Sequence, residues 1–230
     1  MTPFVLDPLD LAALLCSRVC HDVISPVGAI VNGLEVLEDE KDADMRQMSL
    51  DLIRKSAHTA SARLQFCRLA FGAAGSAGAS IDTGDAEKVT RGLIGEDKTK
   101  LVWLAQRLLM PKNKVKVILN LCLIASAAIP RGGVIEVTIA GEGDATSLRV
   151  EAKGTNARVA HGVPQLLHGV VEGGTVEAHG IQAYYTGLVA RAAGLALTLE
   201  VAGDTVIIEA KPAASATLAE AEVANGEIAK

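Results

Sequence analysis

No apolar run in this sequence approaches the roughly 20 residues that span a bilayer, although half of its 230 residues are hydrophobic. It has no surplus of basic residues either, and its formal net charge is −5. That balance argues against a nucleic-acid partner, because phosphate contacts need a basic face. The four cysteines, Cys16, Cys20, Cys67 and Cys122, fit no zinc spacing. They are expected to be buried free thiols, which places the chain in a reducing cytoplasm. The first residues, Met1 to Asp7, lack the basic start of a secretory signal. What remains is a chain long enough for one large or two small domains, each with its own core.

The most informative stretch is Cys20-His21-Asp22-Val23-Ile24-Ser25-Pro26. Apolar residues at helical spacing run out on both sides of it. A helix turns about 100° per residue. By that turn Ala12, Leu15, Val19, Val23, Pro26, Ile30, Leu34 and Leu37 lie opposite His21 and form a core stripe, with Cys16 on it and Cys20 beside it. His21 faces out with Leu14, Ser17, Arg18, Ile24, Ser25, Gly28 and Asn32. An isolated exposed histidine ordinarily does nothing. This one sits in a pattern, because an acid follows it directly, a serine comes four places on and a proline five. A neutral imidazole is a nucleophile near pH 7 and can take a phosphoryl group and hand it on. His-Asp-x-x-Ser-Pro on an amphipathic helix resembles the phospho-acceptor box of two-component histidine kinases.

Asp7 and Pro8 open the first helix, as N-cap and first-turn residue, and it runs to about Glu38 with a kink expected at Pro26. A polar turn over 38–44 leads to a second helix from about Asp42 to Phe71. Two long helices joined by a short turn make an antiparallel hairpin. Its apolar face is too broad to bury alone, so two copies are expected to form a four-helix bundle, a homodimer. This domain covers 1–74. A small-residue segment, 75–82, reads as a linker. From 83 to 211 the patterning is mixed: helices over 85–94, 113–129 and 181–193, and strands over 100–105, 134–139, 147–152, 196–201 and 205–210. That is an α/β sandwich, so the chain as a whole is α+β. Residues 212–230 are Ala- and Glu-rich and read as a disordered tail.

A helical hairpin followed by an α/β sandwich resembles a histidine kinase core, whose second part is a Bergerat-type ATP-binding domain. The kinase nucleotide motifs are damaged. Where the kinase helix carries Asn-Leu-Leu-x-Asn-Ala, this chain has Asn120-Leu-Cys-Leu-Ile124-Ala125, and Ile124 cannot coordinate a metal. The adenine-reading Asp-x-Gly-x-Gly is replaced by Glu151-Ala-Lys-Gly154, and the glycine-rich lid by Gly180-Ile-Gln-Ala-Tyr-Tyr185. An acceptor helix with a degenerate ATP domain resembles the ChpT-type dimeric histidine phosphotransferases of alphaproteobacteria. The likeness extends to Leu109-Met-Pro-Lys-Asn-Lys-Val-Lys116, Ala128-Ile-Pro-Arg-Gly-Gly133 and Tyr184-Tyr-Thr186. It implies a cytoplasmic phosphocarrier that relays phosphate from the receiver domain of a hybrid histidine kinase to the receivers of response regulators.

The resemblance implies that His21 is the acceptor and that Asp22 orients or tunes its ring. Ser25, one turn on, shares the His21 face and is expected to bond phosphoryl oxygens. No carboxylate cluster accompanies His21, so no cofactor is expected on this chain and Mg2+ is expected from the receiver. Gly28 removes bulk two turns on, where another backbone can approach. Arg18, with His58 and Arg63 from the second helix, is expected to meet phosphate or the acidic rim of a receiver. Leu14 and Ile24 are expected to be exposed apolar contacts for a docking helix. No role is expected for His161, His168 or His179. The rival reading is a degenerate kinase that scaffolds receivers without carrying phosphate.

Overall fold

A computed structural model describes residues 4–72, 79–95, 98–171 and 174–213. Helix α1 (Pro8–Asp39) and helix α2 (Ala43–Ala70) form the antiparallel hairpin. Asp7 caps α1 by accepting from the Leu9 N–H, and Asp42 caps α2 by accepting from the Met45 N–H. The last carbonyls of α1 lie beyond its own ladder. Arg46 of α2 reaches back to donate to two of them, Leu37 O at 2.7 Å and Glu40 O at 2.8 Å. The hairpin closes tightly at Gly33, where a Cβ would stand 2.7 Å from Ile53 Cγ1.

The chain then enters the sandwich. Strand β1 (Ser80–Asp82) pairs with β3 (Leu109–Pro111) in a small antiparallel sheet. The segment 75–82 is therefore not all linker: its last three residues are a strand, and 73–78 lie outside the described residues. Asp82 caps α3 (Thr83–Ile94), which therefore starts two residues earlier than its apolar period suggests. The main sheet has the order β2-β4-β5-β7-β6, built from β2 (Thr99–Trp103), β4 (Gly133–Ala140), β5 (Ser147–Lys153), β6 (Leu195–Ala202) and β7 (Thr205–Pro212). Only the β2–β4 pair is parallel. Pro212, read as the start of the tail, ends β7, and 214–230 lie outside the described residues.

Helix α4 (Lys112–Ala128) is apolar on nearly every side, so it has to be central. Val115, Val117, Ile118, Leu119, Leu121, Cys122 and Ala125 are all buried in the main core. Helices α3 and α6 (Ile181–Ala192) flank it, and α5 (Val163–Leu167) packs on α6. Along β5 the pleat sends Val150 and Ala152 inward. Arg149 sits on the other face and bridges Glu151 at 2.7 Å and Glu209 at 3.0 Å.

The hairpin packs on the sandwich along α3 and at two further places that position the site. The end of α2 runs into the main core through Phe66 and Ala70. The flank of α1 packs on a second cluster, where Leu11, Leu14 and Leu15 meet Val176, Ile181 and Tyr184. Tyr184 also ties down the chain before α1, since its hydroxyl donates to Phe4 O at 3.0 Å and accepts from the Leu6 N–H at 2.9 Å.

Candidate functional site

His21 lies mid-way along α1 with its side chain 86% exposed, as the helical period demands. Its neighbour Asp22 is half-buried, and Asp22 Oδ1 stands 3.9 Å from His21 Nδ1. That distance is electrostatic rather than hydrogen-bonding, and it leaves Nε2 as the nitrogen away from the carboxylate. The carboxylate is itself held: Arg18, one turn back, donates from Nε to Asp22 Oδ2 at 3.0 Å. Arg18 is therefore a strut for Asp22 as well as a lining cation. Ser25 is exposed one turn on.

Pro26 explains where Arg63 goes. Proline has no N–H, so the carbonyl four residues before it, that of Asp22, loses its helical donor. Arg63 of α2 supplies one, donating from its guanidinium to Asp22 O. The expected level of Arg63 on the hairpin is right, but its guanidinium repairs the helix instead of reaching freely for a partner. Arg63→Ala strands a partly buried carbonyl beside the site. We expect a loss of about 1–3 kcal/mol in stability, read as a lower urea midpoint with an unchanged slope.

Other expected site residues lie elsewhere. His58 is exposed on another flank of α2, in a groove shared with Lys55 and Lys88 of α3, and not beside His21. Leu14 is half-buried against the sandwich, because a second body packs on that flank of α1, and it is no free docking contact. Ile24 is 69% exposed, as expected. Gly28 has nothing within 4 Å of a built Cβ, so the chain's own packing does not require it; the close approach is at Gly33. Cys16 and Cys20 are exposed, against expectation, whereas Cys67 and Cys122 are buried. Burial pushes the Cys122 thiol up to about 12. Burial and then the Asp22 carboxylate push Cys67 up to about 11.

The sandwich contributes a wall that sequence reasoning missed. A cavity of about 400 Å³ opens beside His21, lined by Ser17, Arg18, His21 and Asp22 of α1 and by Ala178 and His179 of the segment before α6.

At the positions of the three kinase-like elements the side chains have partners within this fold or lie in its core. Asn120 is fully buried: its amide donates to Lys116 O at 2.9 Å and Ala70 O at 3.3 Å, and its oxygen accepts from Gln182 at 3.2 Å. Ile124 is in the core. Glu151 lies on the outer face of the sheet with Arg149. Gly180 immediately precedes α6, where a kinase lid would stand.

A family model described as the histidine phosphotransferase C-terminal domain matches residues 83–205. The protein phosphotransferase ChpT of Brucella abortus (strain 2308) is 47% identical over 209 residues, covering 91% of this chain and 99% of that protein. The chain belongs to the histidine phosphotransferase family. A solved bacterial phosphotransferase, at 44% identity, superposes with a TM-score of 0.83 over 92% of this chain and all of that one. The family match falls on the sandwich. Histidine phosphotransfer within a phosphorelay, with receiver-type partners, is the activity of this family.

Proposed function

We propose that this chain carries the phosphoryl group on His21 itself, between the receiver of a hybrid histidine kinase and the receivers of response regulators, in the cytoplasm. The observation that carries the reading is His21 at the mouth of a cavity, with Asp22 braced by Arg18 on its Nδ1 side. The lone pair of Nε2 forms the N–P bond. The bond from phosphorus to the receiver's aspartyl oxygen breaks, and its electron pair stays on the leaving carboxylate. Asp22 favours the proton on Nδ1, which stabilises the ring as Nε2 gives up its electrons. Reversal delivers the group to the next aspartate. Ser25 offers a hydroxyl to the phosphoryl oxygens, and Ile24 and Gly28 offer an apolar, low surface for the receiver's helix.

Mg2+ neutralises charge on a phosphoryl group in transfer, and in this reading the receiver holds it. The asymmetry fits a carrier that presents an imidazole and releases each partner.

The same proposal makes the chain a homodimer through the hairpin. Cys16, Cys20, Val27, Val31 and Leu34 fall within about 60° of one another on α1, and all are exposed. Leu50 and Leu64 of α2 are exposed apolar residues as well. Such a seam wants a partner. By length and composition α1 alone among the described helices would also suit a membrane. The Arg18–Asp22 pair at its middle and Pro26 buried against α2 favour a second copy instead. The experiment is the source of phosphate: labelled ATP and, separately, a phosphorylated receiver are offered to the purified chain.

A further inference from the structure

We infer that His179 is a positioning residue for the phosphoryl group on His21, so that the sandwich supplies one wall of the phosphotransfer site. The inference rests on His21 being the carrier.

The first observation is placement. His179 and Ala178 line the cavity that His21 lines, facing Ser17, Arg18 and Asp22 across it. The second is rigidity. The segment before α6 is pinned by Val176, Ile181 and Tyr184, which are buried against Leu11, Leu14 and Leu15 of α1. Leu15 is six residues before His21, about 9 Å along the helix. The Tyr184 hydroxyl bonds to Phe4 and Leu6 add a second tie. The wall therefore has a fixed position relative to the acceptor.

The third observation is charge. A phosphoryl group brings close to two negative charges and three acceptor oxygens. The polar groups of α1 around the cavity are Ser17, Arg18 and Asp22. The guanidinium of Arg18 is already paired with Asp22, so α1 offers little uncommitted positive charge. His179 faces that gap with its side chain 84% exposed. Its Nε2 stands 3.3 Å from Glu177 Oε2. Across the cavity the ring offers an N–H to a phosphoryl oxygen. Glu177 lies beside this ring as Asp22 lies beside that of His21. The second imidazole makes no bond to phosphorus. It holds the phosphoryl group while Nε2 of His21 forms or breaks its N–P bond.

The test uses the full-length chain and a receiver domain that transfers to it, charged with acetyl phosphate. His179→Ala should slow transfer about tenfold, the weight of one hydrogen bond to a charged group. The loss should fall on kcat and not on KM. The 31P resonance of phosphorylated His21 should move, and His179→Lys should restore most of the rate. Because the side chain is exposed, circular dichroism and sedimentation should not change. A wild-type kcat and an unmoved 31P resonance in His179→Ala would overturn the inference. So would a loss confined to KM, which would make His179 a docking residue. His21→Ala is run beside it. If that variant still accepts phosphate, the carrier reading has failed; if it is inert while His179→Ala behaves as wild type, only the present inference has.

Discussion

His21→Ala should lose phosphate acceptance completely while the protein keeps its fold, its assembly and its stability. The expectation follows from where the side chain is. At 86% exposure it contributes little packing, so its removal leaves no cavity. Alanine is the best helix former, and exposed substitutions of this kind move stability by about 0.5 kcal/mol or less. The chemistry has no such reserve. No other described histidine lies on α1. The measurement is transfer of labelled phosphate from a charged receiver, followed by acid treatment, which cleaves phosphohistidine. Acid-labile label on His21→Ala would move the acceptor elsewhere.

The second large effect concerns the exposed seam. Val27→Asp together with Val31→Asp should convert a dimer into a monomer. Val27 and Val31 are 43% and 47% exposed in the single chain, so within it the carboxylates stay in water at little cost. In a four-helix bundle they would be buried near the dyad, two from each chain, with several kcal/mol of desolvation each. That exceeds what the lost burial of two valines alone would cost, at about 1.5–3 kcal/mol each. Sedimentation should give the mass of one 23.8 kDa chain for the variant and twice that for the native protein. Cys16 and Cys20 report the same event, slow to alkylate when the seam is covered and fast when it is open. A native protein that sediments as a monomer would sink the second copy as the occupant. Native binding to lipid vesicles would then point to a membrane surface.

Much of this molecule is legible in its sequence, for reasons that differ by element. The ends of α1 and α2 can be read because Asp7 and Asp42 each stand before a long apolar period, and a capping carboxylate satisfies an N–H that nothing else would. The central position of α4 can be read because a helix apolar all round has nowhere else to go. Strands β1 and β3 and helix α5, three to five residues long, are too short to show a period. Leu14 was misplaced because a helical wheel separates a helix's faces but does not reveal that a second body packs on one flank. Cys16 and Cys20 were misplaced for the converse reason: the apolar stripe is wider than one partner helix covers. The role of Arg63 was within reach, since Pro26 orphans the Asp22 carbonyl and Arg63 lies almost level with it across the hairpin. His179 was not, because the packing of Tyr184 and Ile181 brings it to His21 and no local motif marks it.

If His21 is the carrier proposed above, this chain receives its phosphate from another protein and not from ATP. The direct measurement offers the purified full-length chain labelled ATP alone and, in parallel, a receiver domain charged with labelled phosphate. With Asn120 locked between Lys116 and Gln182 and Ile124 in the core, ATP alone should leave the chain unlabelled. The charged receiver should place acid-labile label on His21 within its own lifetime. Label from ATP alone would make the chain a kinase and contradict the reading of its sandwich. Label from neither source, across the receivers it binds, would make it a scaffold and contradict the role of His21.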